Sequence, residues 1–244
     1  MVKKTDTRPF HFKQFSLTHH RSTMKVGTDA VVLSAWVDLK NVSKVLDVGT
    51  GSGIIALMLA ARGIKQIDAI ELDKTSSEEA KENFINSPFK GEFNIFNEDF
   101  KTFKQNDNYS FYDLIISNPP FFINDMLPAE EHRKQARHAN TLTYYDLITG
   151  ATKLLNNGGK LAVVLPYLES RFFIKEAEKQ GFSVKRKLII FPKPCKEPNR
   201  INIELTLHSI NNPVIEKFVI RDENGKFSSQ YKNLLELYYL NITD

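Results

Sequence analysis

The sequence predicts an α/β fold: a seven-stranded mixed sheet whose last strand is antiparallel, with helices on both faces. Three observations lead there. Short apolar runs alternate with helical patterns through the middle of the chain. A glycine-rich turn joins the first such run to the first such helix. The last two apolar runs lie only about ten residues apart, too close for a helical crossover, so they should pair antiparallel.

Taken in order, "KVLDVG" (44–49), "QIDAIEL" (66–72), "EFNIFN" (92–97), "YDLIIS" (112–117) and "GKLAVVLP" (159–166) read as strands. Helical spacing fills residues 53–62, 75–87 and 143–157 between them, and Ser76 precedes Glu79 by three, a capping-box signature. "SRFFIKEAEKQG" (170–181) reads as a helix ending at Gly181, followed by the strands "SVKRKLIIF" (183–191) and "INIELTLH" (201–208). Two extensions flank a core domain of residues 41–212. In residues 1–40, Thr28 or Asp29 could cap a helix running through Val37. In residues 213–244, Asn224-Gly225 signals a hairpin, and Ser228 or Ser229 could cap a final helix packed on the domain.

Composition narrows the function. Of 244 residues, 41% are apolar and 25% charged, as in a soluble protein with a real core. The single cysteine, Cys195, excludes an internal disulfide and points to a reducing cytoplasm. "MVKKTDTRPFHFKQF" has no apolar leader and no segment approaches a membrane span, so no membrane partner is expected. A monomer is expected. The six histidines form no ligand set: His19 and His20 are adjacent, His132 and His138 are six apart, and HExxH and paired CxxC are missing, so no metal is expected. Neither a G-x-S-x-G elbow nor a P-loop is present. A net charge of +4 permits a polyanionic partner without requiring one.

"VLDVGTGSGIIAL" sets Gly49, Gly51 and Gly53 between the first strand and first helix, where glycines allow a tight turn and let a ligand approach main-chain N–H groups. A dinucleotide fingerprint fails because Ile54 stands at its third glycine. The spacing is G-x-G-x-G preceded by Asp47, the pattern associated with S-adenosyl-L-methionine (SAM). Glu71 ends the second strand, where a carboxylate can accept from both ribose hydroxyls, and Asp99 sits where the adenine amine could be met. A plain strand–helix turn with surface acids is the bland alternative.

"YDLIISNPPFF" ends a core strand on Asn118, Pro119, Pro120 and Phe121. Read alone, this is a turn that stops a strand. Beside a SAM-type loop it has a chemical reading. An exocyclic or amide nitrogen is a poor nucleophile because its lone pair is delocalised. The Asn118 side-chain oxygen and the Pro119 carbonyl could accept its two N–H bonds and favour the pyramidal geometry that frees the lone pair. Phe121 offers a flat face for an extruded base.

These residues resemble the Rossmann-like class I SAM-dependent methyltransferases that modify planar nitrogens. More narrowly, "FKQF…MKVGTDAVVLSAW" (12–36), "NPPFF" (118–122), "RKQARHANTLTYYDL" (133–147) and "RDENGKFSSQYKNLLELYYL" (221–240) are similar to the family that N6-methylates the adenine at position 37 of a valine tRNA. The resemblance spans nearly the whole chain. It implies Asn118, Pro119 and Phe121 as catalytic residues, and Lys25, Gly27, Thr28, Asp47, Gly49, Gly51, Gly53, Glu71, Asp99 and Asn118 around the cofactor, with residues 1–40 closing over it. Phe121 departs from the tyrosine many relatives carry, which keeps stacking and removes a hydroxyl. The Asn-Pro-Pro-Phe unit is shared with rRNA guanine-N2 and protein glutamine methyltransferases, so those remain alternatives.

A tRNA partner also fits two basic clusters expected on the same edge of the sheet: Arg133, Arg137 and His138 after the fourth strand, and Lys193, Lys196 and Arg200 between the sixth and seventh. Glu130, Glu131 and Glu197 dilute both. A nicotinamide oxidoreductase is opposed by Ile54, and a non-catalytic RNA-binding module by the intact Asn118–Phe121 unit.

Overall fold

Alternating strands and helices wind into one large sheet in the computed structural model, which describes residues 8–103, 111–121 and 141–240. In chain order the elements are β1 (Phe10–His11), β2 (Ser16–Leu17), α1 (Thr28–Trp36), β3 (Lys44–Val48), α2 (Ile54–Ala61), β4 (Gln66–Ile70), α3 (Lys74–Ile85), β5 (Glu92–Phe96) and β6 (Tyr112–Ser117). Then come α4 (Tyr144–Leu154), β7 (Leu155–Pro166), α5 (Ser170–Lys179), β8 (Ser183–Phe191), β9 (Arg200–Thr206), β10 (Val214–Val219) and α6 (Ser229–Leu235). β1 and β2 form a small antiparallel pair. The main sheet has the order β10-β8-β9-β7-β6-β3-β4-β5.

The order reverses at β3, which pairs in parallel with β4 on one side and β6 on the other. Such a reversal leaves a crevice at the carboxyl ends of the strands, because the helices on either side pass to opposite faces. α1 and α2 pack on one face around Val31, Leu33, Leu57 and Leu59. α4 and α5 pack on the other around Leu147, Ile148, Phe173 and Ala177. β3 and β6 are buried from both sides, which explains why "KVLDV" and "YDLIIS" are nearly continuous apolar runs. In α2, "IIALMLAA", seven of eight residues are buried, so the usual polar stripe has nowhere to face water. As expected, β9 runs antiparallel to both β7 and β8.

The sheet has eight strands, one more than the sequence predicts. Val214–Val219 does not stand apart as half of a hairpin; it joins the sheet edge in parallel with β8. Phe218, 5% exposed, faces the core, but the polar residues around it hide that face from a reading of alternation. The Asn224-Gly225 turn does form, with Gly225 at φ 82° and a bridge between Arg221 and Phe227.

Three boundaries differ as well. α3 starts at Lys74, capped by Asp73, whose side chain accepts from the Ser76 N–H at 2.8 Å, so the Ser76–Glu79 box does not form. α1 is preceded by Gly27 with no side-chain cap, because Thr28 and Asp29 turn to other partners. β7 begins at Leu155, ahead of Gly159, and its pairing with β6 shifts register between Tyr112 and Leu114. Thr143 and Asp146 form the reciprocal capping box at the start of α4, and Ser228 caps α6.

Candidate active site

The glycine loop leaves β3 with Gly49 at φ 73° and Gly51 at φ 56°, conformations that a β-carbon would strain. A β-carbon at either position would find no atom within 4 Å, so both face open space. Four of the loop's N–H groups are occupied. Gly49 and Thr50 donate to the Ile70 carbonyl, Gly51 to Glu71 Oε2 at 2.8 Å, and Gly53 to the Thr50 carbonyl. Gly49 and Gly51 therefore offer bare backbone surface rather than free donors.

Glu71 reaches across from the end of β4, its second oxygen accepting from the Asp73 N–H at 2.9 Å. Asn97 Nδ2 donates to the Glu71 and Leu72 carbonyls at 2.9 Å and fixes that turn. Asp99 follows β5, accepts from the Lys101 N–H, and holds Lys101 Nζ at 3.3 Å. Beside it Phe100 is 7% exposed and seats against α4, where Gly150 leaves it room: a β-carbon there would lie 2.4 Å from the ring.

Asp47 lies under the loop, fully buried, and accepts from Thr50 Oγ1 at 2.6 Å. Burial pushes its pKa up to about 7 against the opposing hydrogen bond from Thr50, and the neighbouring Glu71 adds to the rise. Asp47 and Gly53 support the loop without lining the cavity; Gly53 packs against Phe84 and Ala80 of α3.

The remaining predicted cofactor residues meet in one cavity of about 820 Å3: Lys25, Gly27, Thr28, Gly49, Gly51, Glu71, Asp99 and Asn118, with Pro119 beside them. Asn118 leaves β6 one residue after Ser117, whose hydroxyl donates to the Val48 carbonyl and ties the two strand ends together at 2.7 Å. Among the described residues, the Asn118 Oδ1 is buried and has no hydrogen-bond partner. Phe121 lies under the Arg200 guanidinium, 4.9 Å from the ring centre, and Arg200 Nε donates to Asp29 Oδ2 at 2.8 Å. Arg200, expected to face RNA, is thus engaged inside the protein, clamping β9 to α1 and Phe121. Lys193 and Lys196 are exposed in the loop between β8 and β9. Arg133, Arg137 and His138 lie outside the described residues.

Sequence reasoning missed the fastening of residues 18–23 to α3. Glu79, 0% exposed, accepts from the backbone N–H groups of His20, Arg21 and Ser22 at 2.8–3.2 Å. Burial alone would push its pKa up, but the Ser22 hydroxyl, these N–H groups and His20 together hold it below the ordinary value. Asn83 brackets Thr18, accepting from its N–H and donating to its carbonyl, each at 2.8 Å. Thr23 N–H donates to Ser76 Oγ. The strap is thereby delivered to the cavity, whose lining includes Thr23, Met24, Lys25 and Gly27 to Asp29. The signal was available: Ser76, Glu79 and Asn83 share one helical face and are all buried, which a surface face would not require. Among the described residues there is no cluster able to hold a metal and no helix long and apolar enough to cross a membrane.

Comparison with known proteins identifies the family. Residues 22–177 match the family model of the methyltransferase small domain. The chain is 35% identical to a tRNA1(Val) (adenine(37)-N6)-methyltransferase of Parabacteroides distasonis, over 96% of this chain and 98% of that one. It is 42% identical to the protein of that name from Trichodesmium erythraeum, covering 95% and 97%. Among solved structures, a predicted O-methyltransferase from Agrobacterium tumefaciens superposes with a TM-score of 0.68 at 16% identity, covering 86% of this chain and 96% of that one. The Thermus thermophilus 16S rRNA N2 G1207 methyltransferase, solved with AdoMet and guanosine, gives 0.56 at 18%, covering 81% and 49%, and both likenesses bear on the fold. The chain belongs to the tRNA1(Val) (adenine(37)-N6)-methyltransferase family.

Proposed function

We infer that the protein transfers the methyl group of SAM to N6 of the adenine at position 37 of a valine tRNA, in the cytoplasm. One observation carries the chemistry: the buried Asn118 Oδ1, unpartnered among the described residues, on a residue that lines the glycine-loop cavity. The names of the full-length relatives carry the choice of adenine and tRNA.

The cavity residues fit this cofactor. Glu71 keeps lone pairs for ribose hydroxyls beyond its two internal bonds, Asp99 can accept an adenine amine, and the bare glycine backbone leaves room for an amino-acid chain. When bound, SAM would supply an electrophilic methyl group, with its sulfur as the leaving group that keeps the C–S bonding electrons. Asn118 Oδ1 accepts one N–H of the target amine, and the Pro119 carbonyl accepts the other. Two such acceptors draw the nitrogen out of conjugation, and the amine's surplus proton leaves along one of these hydrogen bonds to water. Neither acceptor needs to be a strong base, because positioning and preorganised polarity supply the rate. Phe121 stacks on the base, and the Arg200 guanidinium on its ring fixes the angle of that platform. Lys193 and Lys196 would meet tRNA phosphates.

The test uses tRNA from a strain without this activity, labelled SAM and nucleoside analysis. Label in N6-methyladenosine is the expected result. Label in a guanine, or in added protein and not in tRNA, would replace the reading.

A further inference from the structure

We propose that the groove between α5 and the β8–β10 edge is a second phosphate-binding surface for the substrate RNA, separate from the cavity that holds the target base. This rests on the tRNA reading above and deepens it.

The groove runs from Tyr167 along Arg171, Lys175 and Glu178 on one side and Lys187 on the other. Its floor is apolar because β8, β9 and β10 present Ile189, Ile201 and Ile215 to the face that α5 covers only in part; Ile215 is 58% exposed. Three cations stand over that floor, Arg171 and Lys175 from α5 and Lys187 from β8, opposed by a single acid, Glu178. Among the described residues none of the three cations has an ion-pair partner, whereas Lys179, one turn on from Lys175, pairs with Glu176. Lys217 extends the row, since it lies two residues beyond Ile215 on the same face of β10, beside Ile189. Unneutralised cations gathered over a surface too apolar to hold counter-charges of its own favour a polyanion, whose binding releases condensed counterions.

The groove also lies where an RNA leaving the active site would pass. The Tyr167 N–H donates to the Asn199 carbonyl at 3.2 Å, and Pro166 is paired with Arg200. Arg200 in turn covers Phe121. A strand whose target base rests on Phe121 therefore has Tyr167, Arg171 and the groove as its next surface along this edge. The apolar floor gives ribose and base edges a contact, and the cations set the phosphate track.

Two readouts test this on the full chain. Filter binding of unmodified tRNA, across a salt series, reads the groove, while methyl transfer by the unaltered protein reads the adenine assignment, so either can fail alone. The triple variant Arg171→Gln/Lys175→Gln/Lys187→Gln should bind tRNA about tenfold more weakly, and its salt dependence should be shallower by about two to three in log–log slope. SAM binding and turnover at saturating tRNA should stay near the unaltered values. A second triple, Arg171→Lys/Lys175→Arg/Lys187→Arg, keeps the charge and should keep the affinity. Glu178→Gln should tighten binding, an effect that misfolding cannot produce. Unchanged tRNA affinity and salt slope in the Gln triple, or no gain in Glu178→Gln, would overturn the proposal.

Discussion

On the β4 side of the switch point, Glu71 has both carboxylate oxygens in use, and the N–H groups of Gly49, Thr50, Gly51 and Gly53 all donate within the protein. On the β6 side, Asn118 Oδ1 is buried with no partner among the described residues. The cofactor half is held in shape by bonds made without a ligand, because binding a molecule in its ground state asks mainly for a fixed surface. Among the described residues the cofactor half also has an unpartnered oxygen, Asp47 Oδ1, but it lies under the loop and off the cavity, whereas the acceptor half keeps its unused acceptor on a residue that lines the cavity. Leaving such a group unpaired costs about 1–3 kcal/mol, recovered only when an N–H arrives. The difference separates what binds from what reacts.

The sharpest way to break that division is Asn118→Ala. It should lower kcat by about 10²–10³-fold and leave the SAM dissociation constant near its original value, measured by single-turnover transfer and by titration. Equal losses in both would make Asn118 a structural residue of the cofactor half.

The next largest effect concerns Asp47. Its carboxyl is raised from 3.8 to about 7, so the folded chain keeps a proton that the unfolded chain loses near pH 4. Stability from this group is full below pH 4, falls as pH climbs, and is gone above pH 7. Asp47→Asn imitates the protonated form and can still accept from Thr50. Relative to the unaltered protein it should gain stability between pH 4 and pH 8, by up to about 4 kcal/mol for a shift of about three units. Denaturation midpoints that run parallel across that range would show that Asp47 is already ionised in the fold, and that the loop is less tightly closed than its hydrogen bonds suggest.

Glu79→Gln probes the strap. Replacing one carboxylate oxygen by an NH2 sets a donor against the N–H groups of residues 20–22, so about 2 kcal/mol of stability should go. SAM should also bind more weakly, because Thr23 to Lys25 and Gly27 to Asp29 line the cavity. A loss of stability with unchanged SAM affinity would place the strap outside the cofactor half.

What could be read beforehand follows from how local each signal is. β3, β6 and the glycine turn are written in contiguous residues, and the antiparallel β8–β9 pair follows from the short loop between them. Placing Asn118 beside the glycine loop takes the first and fourth core strands as neighbours, a pairing that the structure has and that alternation alone does not fix. The Arg200–Asp29 bond joins residues 171 apart, and the Glu79 bonds to residues 20–22 span 57–59. Such pairs depend on how separate elements meet, which no window of sequence contains. β10 escaped for a related reason: its one buried aromatic, Phe218, follows Glu216 and Lys217, and acquires a face only when β8 lies beside it.

A smaller effect tests the principle behind the comparison. Asn202 in β9 is 0% exposed, and like Asn118 it has unpartnered side-chain atoms, both its oxygen and its nitrogen, among the described residues. It differs in place, since it does not line the cavity and pairs across the sheet with Val164 and Leu188. If an orphaned amide matters only where a ligand can reach it, Asn202→Val should stabilise the fold by about 1 kcal/mol and leave transfer unchanged. Thermal melts and turnover read both. A loss of stability would mean that a buried polar contact satisfies Asn202, and an orphaned amide would then no longer be sufficient evidence for the role given to Asn118.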